Sequence, residues 1–292
     1  MQFLSINELM TEVDVNVRRL IDTFRFSLRY KIMLHGSGME FSELREYVPG
    51  EDDPKKIDWK ASLRSNRTYV KEYEEERNLD VFIMLDTSSS MLFGTQDKLK
   101  SEYAAILAGT LAYAGIESGD SVGFCMFNDR VLNYIPPSND NSTYYNLLRL
   151  TVNPSFYGGG CDLTSALIKT LHMLRPRTIL FIISDFIGVG DGWGSALKSV
   201  SGKLDRVFGI MVRDIRDSVI PPKLGYMKLS DPLTGKSMLV NTDRLRKSFE
   251  EKTKEQEAKI LDEFHSSGAH FVKIYTHQPF IEPLIRYLDL ET

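Results

Sequence analysis

Asp86, Ser88 and Ser90 occupy alternate positions in the stretch VFIMLDTSSSM, residues 81–91. One carboxylate and two hydroxyls offer only hard oxygen donors. Such a set suits a magnesium-type cation, a phosphoryl-transfer aspartate, or a turn whose side chains cap backbone N–H groups. A second apolar run, TILFIISD, ends on Asp185. Ligands of open α/β sheets bind beyond the carboxyl ends of the strands. Two strand ends would therefore bring two carboxylates and two hydroxyls to one sheet edge, leaving octahedral positions for water and one outside ligand.

The phosphoryl-transfer reading has a specific weakness. Haloacid-dehalogenase-like enzymes also place a nucleophilic aspartate after an apolar strand, with a second acid two residues later to protonate the leaving group. That position here is Ser88, a poor acid near neutral pH.

The elements that must position these residues are legible as an alternation of strands and helices. LDVFIML, SVGFCMF, TILFIIS, RVFGIMV and HFVKIYT read as buried strands. KLKSEYAAILAGTLAYAGI reads as a helix with Tyr103, Ile106, Leu107, Leu111 and Ala114 on one face, and further helices fall at YYNLLRL, LTSALIKTLHML and about 242–266. SVGFCMF and VLNYI flank Asn128-Asp129-Arg130, a hairpin that puts one antiparallel strand at the sheet edge. A second hairpin is expected around Pro232 to Gly235. The pattern predicts an α/β fold, a mainly parallel sheet with helices on both faces. Residues 1–78 form a small N-terminal extension, opening with a helical stripe of Leu9, Val13, Val17 and Leu20, and residues 79–292 form the main domain.

Composition narrows the function classes. The 292 residues carry 36 basic and 40 acidic side chains, a net charge of −4, which gives no global electrostatic case for nucleic acid. No apolar run reaches the roughly 18 residues of a spanning helix. The N-terminus does not read as a signal peptide. Two cysteines, Cys125 and Cys161, make no disulfide framework, and a reducing cytoplasm is the expected location. The five histidines lack the spacing of zinc enzymes, and neither a GxxxxGK[ST] phosphate loop nor a Gly-x-Ser-x-Gly elbow occurs. The glycine runs at 36–38 and 158–160 are too short to assign a nucleotide.

DTSSSM resembles the Asp-x-Ser-x-Ser element of von Willebrand factor type A domains, which hold Mg²⁺ at a metal-ion-dependent adhesion site. The resemblance implies a von Willebrand A-like, Rossmann-like fold, with Asp86, Ser88, Ser90 and Asp185 as ligands. A threonine from a second loop completes the family's site, but GGGCDLTSAL places Cys161 at that position. A thiol is a soft ligand, ill suited to Mg²⁺, so Asp162 or Thr164 would have to supply the missing oxygen. The upstream stretch FSELREYVPGEDDPKKIDWKAS, followed by VKEYEEERNLDVFIMLDTSSSMLFG, resembles the domain-of-unknown-function 58 family.

That resemblance implies a non-catalytic adaptor rather than an enzyme, working with a MoxR-type AAA+ ATPase in protein assembly or maturation. The charged stretch at 45–64 reads in three ways: ion pairs that fix a core-poor loop, a docking surface using Arg45, Tyr47, Trp59 and Arg64, or an acidic metal cluster of Glu51, Asp52 and Asp53. A Mg²⁺-dependent phosphohydrolase using Asp86 and a metal-free interaction protein are the alternatives for the whole chain.

Overall fold

The structure, a computed structural model, describes residues 4–23, 32–33, 40–49, 52–65, 67–75, 80–231 and 234–289. The glycine run at 36–38, Glu51 and the tip of the second hairpin lie outside them. The chain divides into two compact units, Met1–Ser27 with Leu79–Thr292, and Leu28–Asn78.

Helix α1 (Ile6–Thr23) buries the predicted stripe of Leu9, Val13, Val17 and Leu20. A division at residue 78 would group it with the segment that follows, yet it belongs to the larger unit. The smaller unit contains strands β1 (Ile32–Met33) and β2 (Glu40–Glu46), helix α2 (Trp59–Ser65) and strand β3 (Tyr69–Glu75). The three strands pair antiparallel in the order β1-β3-β2.

In the larger unit, β4 (Asp80–Asp86) leads to helix α3 (Lys100–Glu117), β5 (Ser121–Phe127) and β6 (Val131–Ser138). Helices α4 (Asn141–Thr151) and α5 (Leu163–Met173) precede β7 (Thr178–Ser184), α6 (Trp193–Lys203) and β8 (Arg206–Arg213). A short helix α7 (Ile215–Ser218) and the hairpin β9 (Tyr226–Ser230) with β10 (Ser237–Asn241) follow, then α8 (Thr242–Ser266), β11 (His270–Tyr275) and α9 (Ile281–Asp289).

The main sheet runs β11-β8-β7-β4-β5-β6, with every pair parallel except β5–β6. This is the expected mainly parallel sheet with one antiparallel edge strand. β4 and β7 are adjacent at its centre and buried on both faces, which is why they read as unbroken apolar runs. On one face Phe82, Met84, Leu180 and Ile182 join residues of α5, α6 and α8 in a continuous core.

Helix α3 is buried nearly all round rather than along one face, because α1 and α4 cover the side turned away from the sheet. Gly109 makes that crowding possible: a Cβ there would lie 2.9 Å from Val13 Cγ2 and 3.0 Å from Leu148 Cδ2. The sheet's carboxyl edge, where β4, β7 and β8 end, is thereby held by packed helices on each side.

Candidate functional site

Asp86 ends β4 fully buried. Its Oδ1 accepts the backbone N–H of Ser88 at 2.8 Å, closing a turn that swings the chain into a one-turn 3₁₀ helix, Ser89–Leu92. The Ser88 and Ser90 hydroxyls then stand 3.1 Å apart. The alternate-position pattern thus gathers the first loop's oxygens, and it does so through the Asp-Ser turn considered as a rival to metal binding. The two readings describe one geometry.

The second loop is stitched to the first by its backbone. Gly158 N–H donates to the Thr87 carbonyl at 2.8 Å, and Ser89 N–H donates to the Gly159 carbonyl at 3.0 Å. Gly158 and Gly159 adopt φ of +132° and +78°, which explains why glycines stand there. The loop carries Cys161 to Asp86, where the thiol donates to Oδ2 at 3.5 Å. Burial, then the nearby Asp86 charge, pushes the Cys161 thiol far up, so it stays protonated.

Asp162 does not join the cluster. Its carboxylate caps α5, accepting the Ser165 N–H at 2.9 Å and the Ser165 hydroxyl at 2.6 Å, and these bonds hold its pKa down. Thr164 is half-buried in the first turn of the same helix and is not among the hydrogen-bond partners of Asp86.

The third loop differs from expectation. Side chains alternate across a strand, and β7 is paired so that Leu85 faces Ile183. Ser184, not Asp185, therefore lies beside Asp86, and its hydroxyl donates to Asp86 Oδ2 at 2.5 Å. Asp185 turns to the face covered by α3. There its Oδ2 meets Lys100 Nζ at 2.7 Å, and its Oδ1 accepts the Ile187 N–H at 2.8 Å. Lys100 also bonds Asp217 Oδ2 at 2.9 Å, and both Lys100 and Asp185 are buried.

Sequence reasoning missed Lys100, Ser184 and Asp217. The period of two would have separated Asp185 from Asp86 and pointed to Ser184. Lys100 lies on the turn preceding Tyr103 and Ala104, in line with a buried stripe.

The charge balance is uneven. Asp185 and Asp217 have an ammonium; among the described residues, every hydrogen-bond donor to Asp86 is neutral. Burial, and then the charge of Asp185, push the Asp86 carboxyl up to about 6. A buried carboxylate with no hydrogen-bonded counter-ion among the described residues, beside two serine hydroxyls, is an oxygen donor set that fits a hard cation at the first loop. Asp185 adds negative potential beside Asp86, while its own oxygens bond the Lys100 ammonium and the Ile187 N–H.

The profile of "Protein of unknown function DUF58" matches residues 43–259. The chain belongs to this family. Its relatives include the uncharacterized proteins Mb1516 of Mycobacterium bovis and Rv1480 of Mycobacterium tuberculosis, each 26% identical over 259 residues, 88% of this chain and 80% of theirs. Among solved structures, BatB from Bacteroides thetaiotaomicron is similar with a TM-score of 0.51 at 17% identity, over 73% of this chain and 98% of that one. A von Willebrand factor type A protein from Catenulispora acidiphila matches at 14% identity over 62% of this chain and 43% of its own, with a TM-score of 0.36. The fold of BatB is shared.

In this DUF58 chain the acidic residues of the stretch before β4 serve local structure. Asp58 caps α2 by accepting the N–H groups of Lys60 and Ala61 at 2.9 and 3.2 Å. Asp53 accepts the Lys55 N–H at 2.9 Å, and the buried Asp52 accepts from Arg45 at 2.6 Å and from the Val48 N–H at 2.8 Å. Arg45 is thus committed to Asp52. Tyr47 is half-buried, Arg64 is exposed, and Trp59 is 65% exposed on the first turn of α2. Asp52 and Asp53 are occupied separately, and Glu51 lies outside the described residues.

Proposed function

We propose that this protein is a non-catalytic adaptor that docks a partner protein on the loops at the carboxyl edge of its main sheet. Mg²⁺, held by Asp86, Ser88 and Ser90, supplies a positive centre there for an acidic side chain of the partner. The observation that carries this reading is the buried carboxylate of Asp86, bonded only to neutral donors among the described residues and flanked by two hydroxyls. One bridging carboxylate gives little affinity alone, so the surrounding loops must add contact area. The family resemblance suggests a MoxR-type AAA+ ATPase as the partner, with the pair acting in protein assembly or maturation, and the two unpaired cysteines suggest the cytoplasm as the place.

Asp86 is poorly disposed to act as a phosphoryl nucleophile, because Ser88 stands two residues on, where a second acid would have to protonate the leaving group. A phosphatase assay should show no turnover that depends on Asp86.

The test of the adaptor reading has two parts. Mg²⁺ should raise the melting temperature of the wild-type protein and leave Asp86→Ala unmoved, since a ligand that binds the native state stabilises it. An AAA+ ATPase, identified by mass spectrometry, should co-purify in Mg²⁺ and be lost in EDTA. Equal recovery in EDTA, or from Asp86→Ala, would overturn the metal-bridged reading.

A further inference from the structure

Lys100 is the first residue of α3, where the helix dipole places partial positive charge. An ammonium is disfavoured there on electrostatic grounds, and burial disfavours it again. It is nonetheless 1% exposed, with Nζ bonded to Asp185 at 2.7 Å and to Asp217 at 2.9 Å and lying 5.5 Å from the centre of the Phe93 ring. The three elements it joins are far apart in sequence: the start of α3, the loop after β7, and α7. Asp217 is fixed in turn, since its Oδ2 also accepts the Asp214 N–H at 3.0 Å. Asp214 reaches back to the loop before α3, accepting the Thr95 N–H and hydroxyl at 2.7 Å each.

We propose that Lys100 is a resident counter-ion that sets the cation affinity of the site, an inference that rests on reading Asp86, Ser88 and Ser90 as cation ligands. The ammonium does two things that a divalent ion would otherwise do. It neutralises Asp185, and it ties the loop after β7 to the loops before α3 and after β8. By engaging Asp185 Oδ2 it removes one of two strand-end carboxylates from the donor set. The site is left with a single anionic ligand and correspondingly weak divalent binding. Its loops are tied by protein groups alone, so on this proposal ion binding and loop order are uncoupled. Neutralising Lys100 frees Asp185 to act as a second anionic ligand and couples them again.

Calorimetric titration with Mn²⁺ alone tests this in wild-type protein and three full-length variants. Lys100→Gln removes the ammonium. Lys100→Gln/Asp217→Asn removes one positive and one negative charge, so net charge is unchanged and the unpaired Asp217 no longer threatens folding. Lys100→Arg keeps the cation. The double variant should bind Mn²⁺ at least about tenfold tighter than wild type, as a second carboxylate joins a hard-cation site. Lys100→Arg should stay within about twofold of wild type, the change expected when the charge balance is kept. Lys100→Gln should melt lower than wild type in EDTA and recover in millimolar Mn²⁺.

Equal affinity in wild type and the double variant would overturn the role of Lys100 while leaving the metal site standing. Binding by the double variant but not by wild type would support that role and count against metal-bridged docking by the natural protein. Tightening in Lys100→Arg as large as in the double variant would overturn the assignment, because loss of charge could not be the cause. Binding by none of the proteins would overturn both readings.

Discussion

Two regions of this protein are crowded with charge, and they use it differently. Around 45–67 the acids, apart from the buried Asp52, lie near the surface, and their partners come from the same short segment. Asp58 caps a helix, Asp52 holds Arg45, and Glu46 meets Arg67 at 3.3 Å across two exposed side chains. At the carboxyl edge of the main sheet the charges are buried, and their partners come from remote parts of the chain. Asp185 and Lys100 are 85 residues apart in sequence, and Lys100 and Asp217 are 117 apart. Density of charge therefore does not mark a functional site. A buried carboxylate bonded only to neutral donors among the described residues is the more telling feature, and Asp86 fits that description.

This contrast can be broken most directly at Lys100. Lys100→Met should cost about 3–5 kcal/mol in urea unfolding, since it strands two carboxylates away from water. A loss below about 1 kcal/mol would place this cluster in the same class as surface pairs. The next effect has the opposite sign. In EDTA near pH 7.5, Asp86→Asn should raise stability by about 1 kcal/mol or more, one unit of pKa displacement being worth about 1.4 kcal/mol. The same variant should lose the Mg²⁺-dependent rise in melting temperature.

Removing a cap comes next. Asp58→Ala and Asp162→Ala should each cost about 1 kcal/mol. The folded-state pKa of Asp162 is lowered, so its share is present above its ordinary value of 3.8 and is lost as pH falls through the lowered one. The Asp162→Ala deficit should thus shrink in acid and hold steady from pH 5 to 8. Smallest of all, Arg67→Ala should change stability by no more than about 0.5 kcal/mol, because its pair with Glu46 is exposed to solvent.

The fold was legible because β4 and β7 are apolar on both faces, and because Asn128-Asp129-Arg130 marks the turn into the antiparallel edge strand. The stripe on α1 was equally plain. Helix α6 gives a weaker signal, its opening GWGS having two glycines among its first four residues, counted from Gly192. At the site, the first loop could be read from spacing alone, since its oxygens are two residues apart. The third loop could have been read further: alternation along TILFIISD places Ser184 on the face of Ile182, where Asp86 lies, and Asp185 on the other. Lys100 had only its place in line with the buried stripe of α3 and Asp217 had no local signature, because what makes them partners is the order of strands in the sheet. Asp162 is a missed cap rather than a missed ligand. An aspartate directly before LTSAL is an ordinary helix start.

The Ser184 hydroxyl has one further bond, accepting the N–H of Phe186 at 2.8 Å, and Phe186 has a left-handed φ of +53° for a buried aromatic residue. Its ring lies 6.2 Å from that of Trp193 and 5.4 Å from that of Phe264. One oxygen thus connects the carboxylate of Asp86 to an indole inside the core. Trp193 and Trp59 are the two tryptophans of the chain, so in a Trp59→Phe background a change in emission on adding Mg²⁺ is the expected sign that Asp86 is coupled to Trp193. The protein contains its own spectroscopic probe.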